Sequence, residues 1–150
     1  MKIKVTKARR SEAKNILLLI DELADFERLP PPDRKAKNRI VNDAFGKKPS
    51  FSILLSKIDG KTIGYAFYFF TYSSFLARKT LYLEDIYISQ KFRGFGAGKS
   101  LFNALVNIAR KNKCGRMEWC VLDWNENAVK FYEKLGSKEL KEWKYYRLSL

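Results

Sequence analysis

The chain opens on alternation. Ile3 and Val5 are separated by lysines, the period-two pattern of a half-buried strand over residues 2–6. From Ser11 the period changes. Ala13, Ile16, Leu17, Ile20, Leu23 and Ala24 recur at helical spacing, with Glu12 in the first turn. Leu29 and the run Pro30-Pro31-Pro32 end this helix, because each proline lacks an N–H and restricts the residue before it. A shorter helix is expected from about Asp33 to Phe45, closed by Gly46 and Pro49.

Residues 51–57 and 61–71 read as two strands joined at Asp59-Gly60, a dipeptide suited to a tight hairpin turn. The second is rich in aromatic residues, from Tyr65 through Phe67, Tyr68, Phe69 and Phe70 to Tyr72. A strand follows from Leu81 to Ile88, then a glycine-rich turn. Next comes a helix to about Asn112 with Leu101, Phe102, Leu105, Ile108 and Ala109 on one face. Residues 116–122 are expected as a strand, 125–135 as a helix stopped by Gly136, and 143–149 as a last strand. This order predicts an α/β fold, a mixed sheet with helices on its faces, in a single domain over residues 1–150.

Composition narrows the chemistry. With 46% apolar and 15% aromatic residues the chain can build one ordinary core. No apolar run approaches the ~20 residues of a membrane helix, and the alternating start lacks a signal-peptide core. An intracellular, cytoplasmic location without membrane association is the expectation. Histidine is absent, which excludes Ser-His and Cys-His relays and removes the commonest general base. Proton transfer near neutral pH is left to a carboxylate, a tyrosine, a lysine or water. Cys114 and Cys120 make neither a disulfide framework nor a zinc site, and no metal is expected. The net charge of +14 attracts polyanions such as a phosphorylated cofactor or nucleic acid. The basic residues are scattered, which argues against a basic tail, and a solvated, ion-paired surface accounts for them equally well.

The most informative segment is Arg93-Gly94-Phe95-Gly96-Ala97-Gly98, after a strand and before an amphipathic helix. Its glycines permit positive φ and close backbone approach. The helix start offers unpaired N–H groups and partial positive charge, together a seat for a pyrophosphate. Arg93 and Lys99 are placed to add charge-assisted contacts. A dinucleotide-binding turn fits less well. It belongs after a first strand, and Gly94, Gly96 and Gly98 lack the two-residue gap before the last glycine.

Arg93, Gly96 and Gly98, following a strand with acidic residues, resemble the coenzyme-A motif of the GNAT N-acetyltransferase superfamily. Leu81-Tyr82-Leu83-Glu84-Asp85-Ile86-Tyr87, Asp123-Trp124-Asn125-Glu126, Glu22-Leu23-Ala24 with Glu27, and Phe70-Thr71-Tyr72 are similar to its spermidine/spermine (diamine) acetyltransferase branch. Val121-Leu122-Asp123-Trp124-Asn125, with Tyr132 and Leu135-Gly136, resembles the thialysine N-acetyltransferase sub-branch. The resemblance spans nearly the whole chain in order.

It implies a mixed, mostly antiparallel sheet and an acyltransferase using acetyl-CoA as co-substrate. The implied acceptor is a primary amine, and the implied assembly a homodimer without nucleic acid. It assigns Ile86, Tyr87 and Ile88 to the pantetheine and acetyl groups, and Arg93, Gly94, Phe95, Gly96, Ala97, Gly98 and Lys99 to the pyrophosphate. Asn125 and Ala128 become a second cofactor contact, although Asn125 also suits a helix cap. Tyr132 is implied as the acid for the departing thiolate, a phenol of pKa near ~10 meeting a thiol near ~8.5. Without the resemblance, Phe131 and Tyr132 read as a core aromatic pair. Glu84 is implied as the acid that contacts the acceptor and takes its proton, with Glu27 and Glu142 as further substrate contacts.

In a regular strand Glu84 and Asp85 point to opposite faces, so Asp85 is expected to support the strand from behind. Ser73 and Phe75 stand where the branch carries Asp and Trp, which favours a short acceptor such as thialysine, lysine or a diamine. Two rivals stay open. One is a protein lysine or N-terminal acetyltransferase. The other is a non-catalytic coenzyme-A sensor or nucleic-acid module stacking bases on Tyr65, Phe67 and Phe69, although that alternation equally suits a sheet packed on both faces.

Overall fold

Five strands form one sheet in chain order: β1 (Ile3–Lys7), β2 (Ser52–Ile58), β3 (Lys61–Ser73), β4 (Arg78–Ile88) and β5 (Arg116–Glu118). The computed structural model describes residues 2–150, and the chain divides between Trp119 and Cys120 into two compact units. The sheet belongs to the first unit. β1 to β4 pair antiparallel and β5 lies parallel to β4, so the sheet is mixed and mostly antiparallel, as the sequence implied. Asp59 (φ 48°) and Gly60 (φ 80°) both take the left-handed backbone of a tight hairpin turn.

Helices α1 (Ala13–Phe26) and α2 (Arg34–Phe45) precede β2, and α3 (Ala97–Lys111) connects β4 to β5. A single 3₁₀ turn at Arg10–Glu12 leads into α1. Asp33 caps α2, its side chain accepting from the Ala36 N–H at 2.7 Å. The two faces of the sheet have separate cores. On one, Leu54, Ala66, Leu81 and Leu83 pack with Leu101 and Leu105 of α3. On the other, Leu55, Tyr65 and Tyr87 pack with Ile16 and Leu19 of α1. Tyr65, Phe67 and Phe69 of β3 are therefore packed against other side chains, while Phe70 and Tyr72 are exposed. Tyr65 is fully buried, Phe67 stacks on Phe51 at 3.8 Å, and Phe69 lies against Tyr82.

One irregularity in β4 changes the reading of its acidic pair. Tyr68 pairs with Leu83, but the preceding Phe67 pairs with Asp85, which leaves Glu84 as the extra residue of a β-bulge. Leu83 and Ile86 are three apart yet serve the same core, which an unbroken strand cannot achieve. The opposition of Glu84 and Asp85 is expected of a regular strand, and β4 is not regular here: both stand at the one register position opposite Phe67.

The second unit, residues 120–150, contains α4 (Glu126–Lys134). Asn125 caps it, accepting from the Ala128 N–H at 3.2 Å, and Gly136 (φ 87°) ends it. Two strand expectations fail. Strand pairing after α3 stops at Glu118 instead of reaching residue 122, and residues 143–149 form no strand. Aromatic and β-branched side chains favour a strand only where a neighbouring ladder takes up the backbone groups. Among the described residues no strand pairs with 143–149, and Trp143, Tyr145, Tyr146 and Leu148 are exposed.

Candidate active site

The turn after β4 has the conformation that its glycines predict. Gly94 (φ 84°) and Gly96 (φ 85°) both lie in the left-handed region, and Gly96 is the N-cap of α3. A Cβ at either position meets no heavy atom within 4 Å, so the space beside both is open. No side chain caps the helix start, which leaves the first N–H groups of α3 facing outward with the positive end of the helix dipole. This open, donor-rich turn fits a pyrophosphate. Ala97 is buried at the foot of the helix, Gly98 lies within it, and Phe95 and Lys99 are exposed.

Arg93 has a second task. Its Nε donates to the Ile88 carbonyl at 2.9 Å, and its guanidinium lies over the rings of Phe26 and Tyr87 at 4.7 and 5.3 Å. It therefore ties the end of β4 to the end of α1 beside the turn. Ser89, buried at the same junction, donates to Glu22.

β5 pairs with β4 only from Thr80 to Tyr82. Beyond it, the edge of β4 from Leu83 to Ile88 has no strand beside it among the described residues. Backbone groups alternate sides along a strand, and Ser89 bonds Ile63 of β3, so Ile86 and Ile88 turn theirs to that edge, where the Ile88 carbonyl accepts from Arg93. The bulge sits at the start of this open stretch. Tyr65 donates to Asp85 Oδ2 at 3.2 Å from the neighbouring strand. Burial, then the charge of Glu84, pushes the Asp85 carboxyl up to about 6, against the opposing hydrogen bond from Tyr65, with Glu27 adding a further push. Burial also raises Glu27, which closes the end of α1. The Tyr65 phenol is held well above its ordinary range by burial and by Asp85.

This group answers the sequence reading in part. Glu27, Glu84, Ile86, Tyr87, Ile88 and residues 93–99 all belong to the first unit, and Glu27 interacts electrostatically with the bulge carboxylate Asp85. Asp85 and Tyr65 are the members that sequence reasoning missed, because no residue in the run Leu83-Glu84-Asp85-Ile86 signals a bulge. Ser73 is turned inward, its Oγ accepting from the Leu76 N–H at 3.2 Å, while Phe75 is fully exposed. In the second unit, Asn125 and Ala128 form the cap of α4. The Tyr132 ring contacts Phe131 edge-on at 5.2 Å, and Ser137 donates to the Tyr132 carbonyl at 2.7 Å. Glu142 is exposed, outside any helix or strand.

Known proteins resemble this chain in sequence and in fold. A thialysine N-epsilon-acetyltransferase of Mus musculus is 33% identical over 147 residues, covering 93% of this chain and 86% of its own. An L-ornithine N5-acetyltransferase of Arabidopsis thaliana is 44% identical over 86 residues, 57% of this chain and 38% of its own. A possible acetyltransferase from Clostridium difficile 630 superposes with a TM-score of 0.86 at 20% identity, covering 100% of this chain and 99% of the other, a likeness of fold. The sequence profile of the Acetyltransferase (GNAT) family matches residues 17–137, from α1 through α4, and the chain accordingly belongs to that family of acyltransferases.

Proposed function

We propose that this enzyme transfers the acetyl group of acetyl-CoA directly to the primary amine of a small acceptor, lysine-like or a short di- or polyamine. The observation that carries the reading is the Glu84–Asp85 bulge at the start of the open edge of β4. When bound, acetyl-CoA supplies the activated thioester. The uncapped start of α3 and the backbone of Gly94–Lys99 hold its pyrophosphate. Arg93 fixes the turn against β4, and the edge backbone of Ile86, with the Ile88 N–H, offers hydrogen bonds to amide groups of the pantetheine arm. Asn125 and Ala128 are assigned the second cofactor contact.

The acceptor is recognised as an ammonium and reacts as an amine, so the site must both hold a cation and remove a proton. Glu84, Asp85 and Glu27 do the first against the repulsion of a protein of net charge +14. Glu84 contacts the ammonium, and Asp85, with its raised affinity for protons, shares the proton that leaves. Tyr132 protonates the leaving thiolate. Ser73, engaged by the Leu76 N–H, adds no charge for a distant second ammonium, which favours a short acceptor. Glu142 is kept as a third acceptor contact, and the exposed aromatic residues of 143–148 support a homodimer in which a second copy covers them.

The direct test is thiol release from acetyl-CoA in the presence of lysine, thialysine, ornithine or a diamine, with one acetylated amine formed per free thiol. The cofactor turn has its own test. Gly96→Asp places a negative charge at the N-terminus of α3 in a position where its Cβ meets nothing. The fold should survive, at a left-handed-backbone cost of about 1 kcal/mol. Acetyl-CoA affinity by calorimetry should fall by about 10²-fold. Unchanged affinity would move the pyrophosphate elsewhere.

A further inference from the structure

A concavity of about 620 Å³ lies at the other end of α3 from the glycine turn, about 22 Å away for a 15-residue helix. It is formed where the start of β4 meets the loop after α3. Arg78, Lys79, Arg110 and Lys113 line it, with Tyr72 on one wall and the half-buried Cys114 thiol among them. No acidic residue lines it, and none of the four cations has a carboxylate partner among the described residues. Lys79 lies over the Phe70 ring at 5.4 Å, which orients its ammonium without neutralising it.

The helix end does not account for this charge. The C-terminus of α3 carries about half a negative charge, against four positive ones. A sphere of this volume is about 10–11 Å across, comparable with a Debye length of ~8–10 Å, so the four fields overlap within it. The backbone is also set at unusual angles here. Ala77 (φ 50°) and Lys113 (φ 55°) are two of the four non-glycine residues with positive φ among the described residues, and both line the concavity. Such conformations cost on the order of 1 kcal/mol or more each, and they tend to collect at functional sites. At Lys113 the left-handed turn ends α3, with the Cys114 N–H donating to the Ala109 carbonyl, and carries the lysine into the wall.

We infer that this concavity is a second anion site, separate from the cofactor turn, for a compound with two or more adjacent phosphate groups. Its volume suits a small ligand, and four converging cations suit clustered phosphate charge better than a single carboxylate. The site lies within the first unit and does not depend on the acceptor assigned above.

Inorganic triphosphate tests it, titrated by calorimetry into protein saturated with coenzyme A so that the glycine turn is filled. One equivalent is expected to bind. Arg78→Gln and Arg110→Gln, both on exposed side chains, should each weaken it about tenfold, with coenzyme A affinity unchanged. A Cys120→Ser background supplies a reading independent of those variants. Triphosphate should slow the reaction of the Cys114 thiol with a thiol reagent at least tenfold. ATP binding tighter than triphosphate, with the gain lost in Tyr72→Ala, would identify a nucleotide as the source, and equal binding a free phosphate chain. Either supports the site. Absence of binding under coenzyme A saturation, binding unchanged in both arginine variants, or an unprotected Cys114 overturns it. So does an oligonucleotide that binds more tightly than triphosphate and spans several phosphates beyond the concavity.

Discussion

Asp85→Asn is expected to make the protein more stable at neutral pH and far less active. The carboxyl group titrates at about 6 in the fold, against 3.8 ordinarily. A raised acid binds its proton more tightly folded than unfolded. Stability is therefore fully present below about pH 4 and is lost as pH rises through 6. Two pKa units correspond to about 3 kcal/mol, the cost of holding this carboxylate ionised where it is buried and, secondarily, beside Glu84. Asparagine keeps an acceptor for the Tyr65 hydroxyl and removes the charge. The melting temperature of the variant should exceed that of the parent at pH 7–8, and the difference should vanish near pH 4. Activity should move the other way. The parent should show an acidic limb in kcat/KM near pH 6, and Asp85→Asn should lose that limb together with about 10²-fold in efficiency. Glu84→Gln removes the neighbouring charge that raises Asp85, so it should lower efficiency towards a cationic amine and move the acidic limb below 6. An Asp85→Asn enzyme with parental efficiency and pH profile would make the pair a structural feature of the bulge alone.

The second large effect concerns Tyr132. Tyr132→Phe removes one oxygen and keeps the ring that meets Phe131 and the carbonyl that accepts from Ser137. Helix α4 should therefore remain intact. If the phenol supplies the proton to the departing thiolate, turnover should fall by ~10²–10⁴-fold with acetyl-CoA affinity nearly unchanged, and a pre-activated thioester with a better leaving group should lose less. Turnover within a few-fold of the parent would return Tyr132 to a packing role.

What could be read beforehand follows from how local each signal is. Alternation in β1, the helical period of α1, the triple proline, Asp59-Gly60 and the glycines before α3 each act within a few residues, and each produced its element within three residues of the expected bounds. Features that depend on a partner were not legible. The bulge at Glu84 is a mismatch between two strands, so nothing local announced the extra residue or the approach of Asp85 to Tyr65. Residues 143–149 have strand-forming side chains but no ladder among the described residues. The hydrogen bond from Arg93 to Ile88, and the basic concavity joining Arg78 to Arg110, likewise bring together groups that local patterns do not connect.

The central claim is transfer to a small amine held by the bulge carboxylates, and a competition assay tests it most directly. The enzyme is given acetyl-CoA with equimolar thialysine, lysine, ornithine, a diamine, spermidine and a lysine-bearing peptide, and initial products are quantified by mass. The account predicts that one of the short amines dominates, exceeding the peptide by at least tenfold, and that this preference collapses in Glu84→Gln. Dominant acetylation of the peptide, or a small-amine preference that is unchanged in Glu84→Gln, would contradict it.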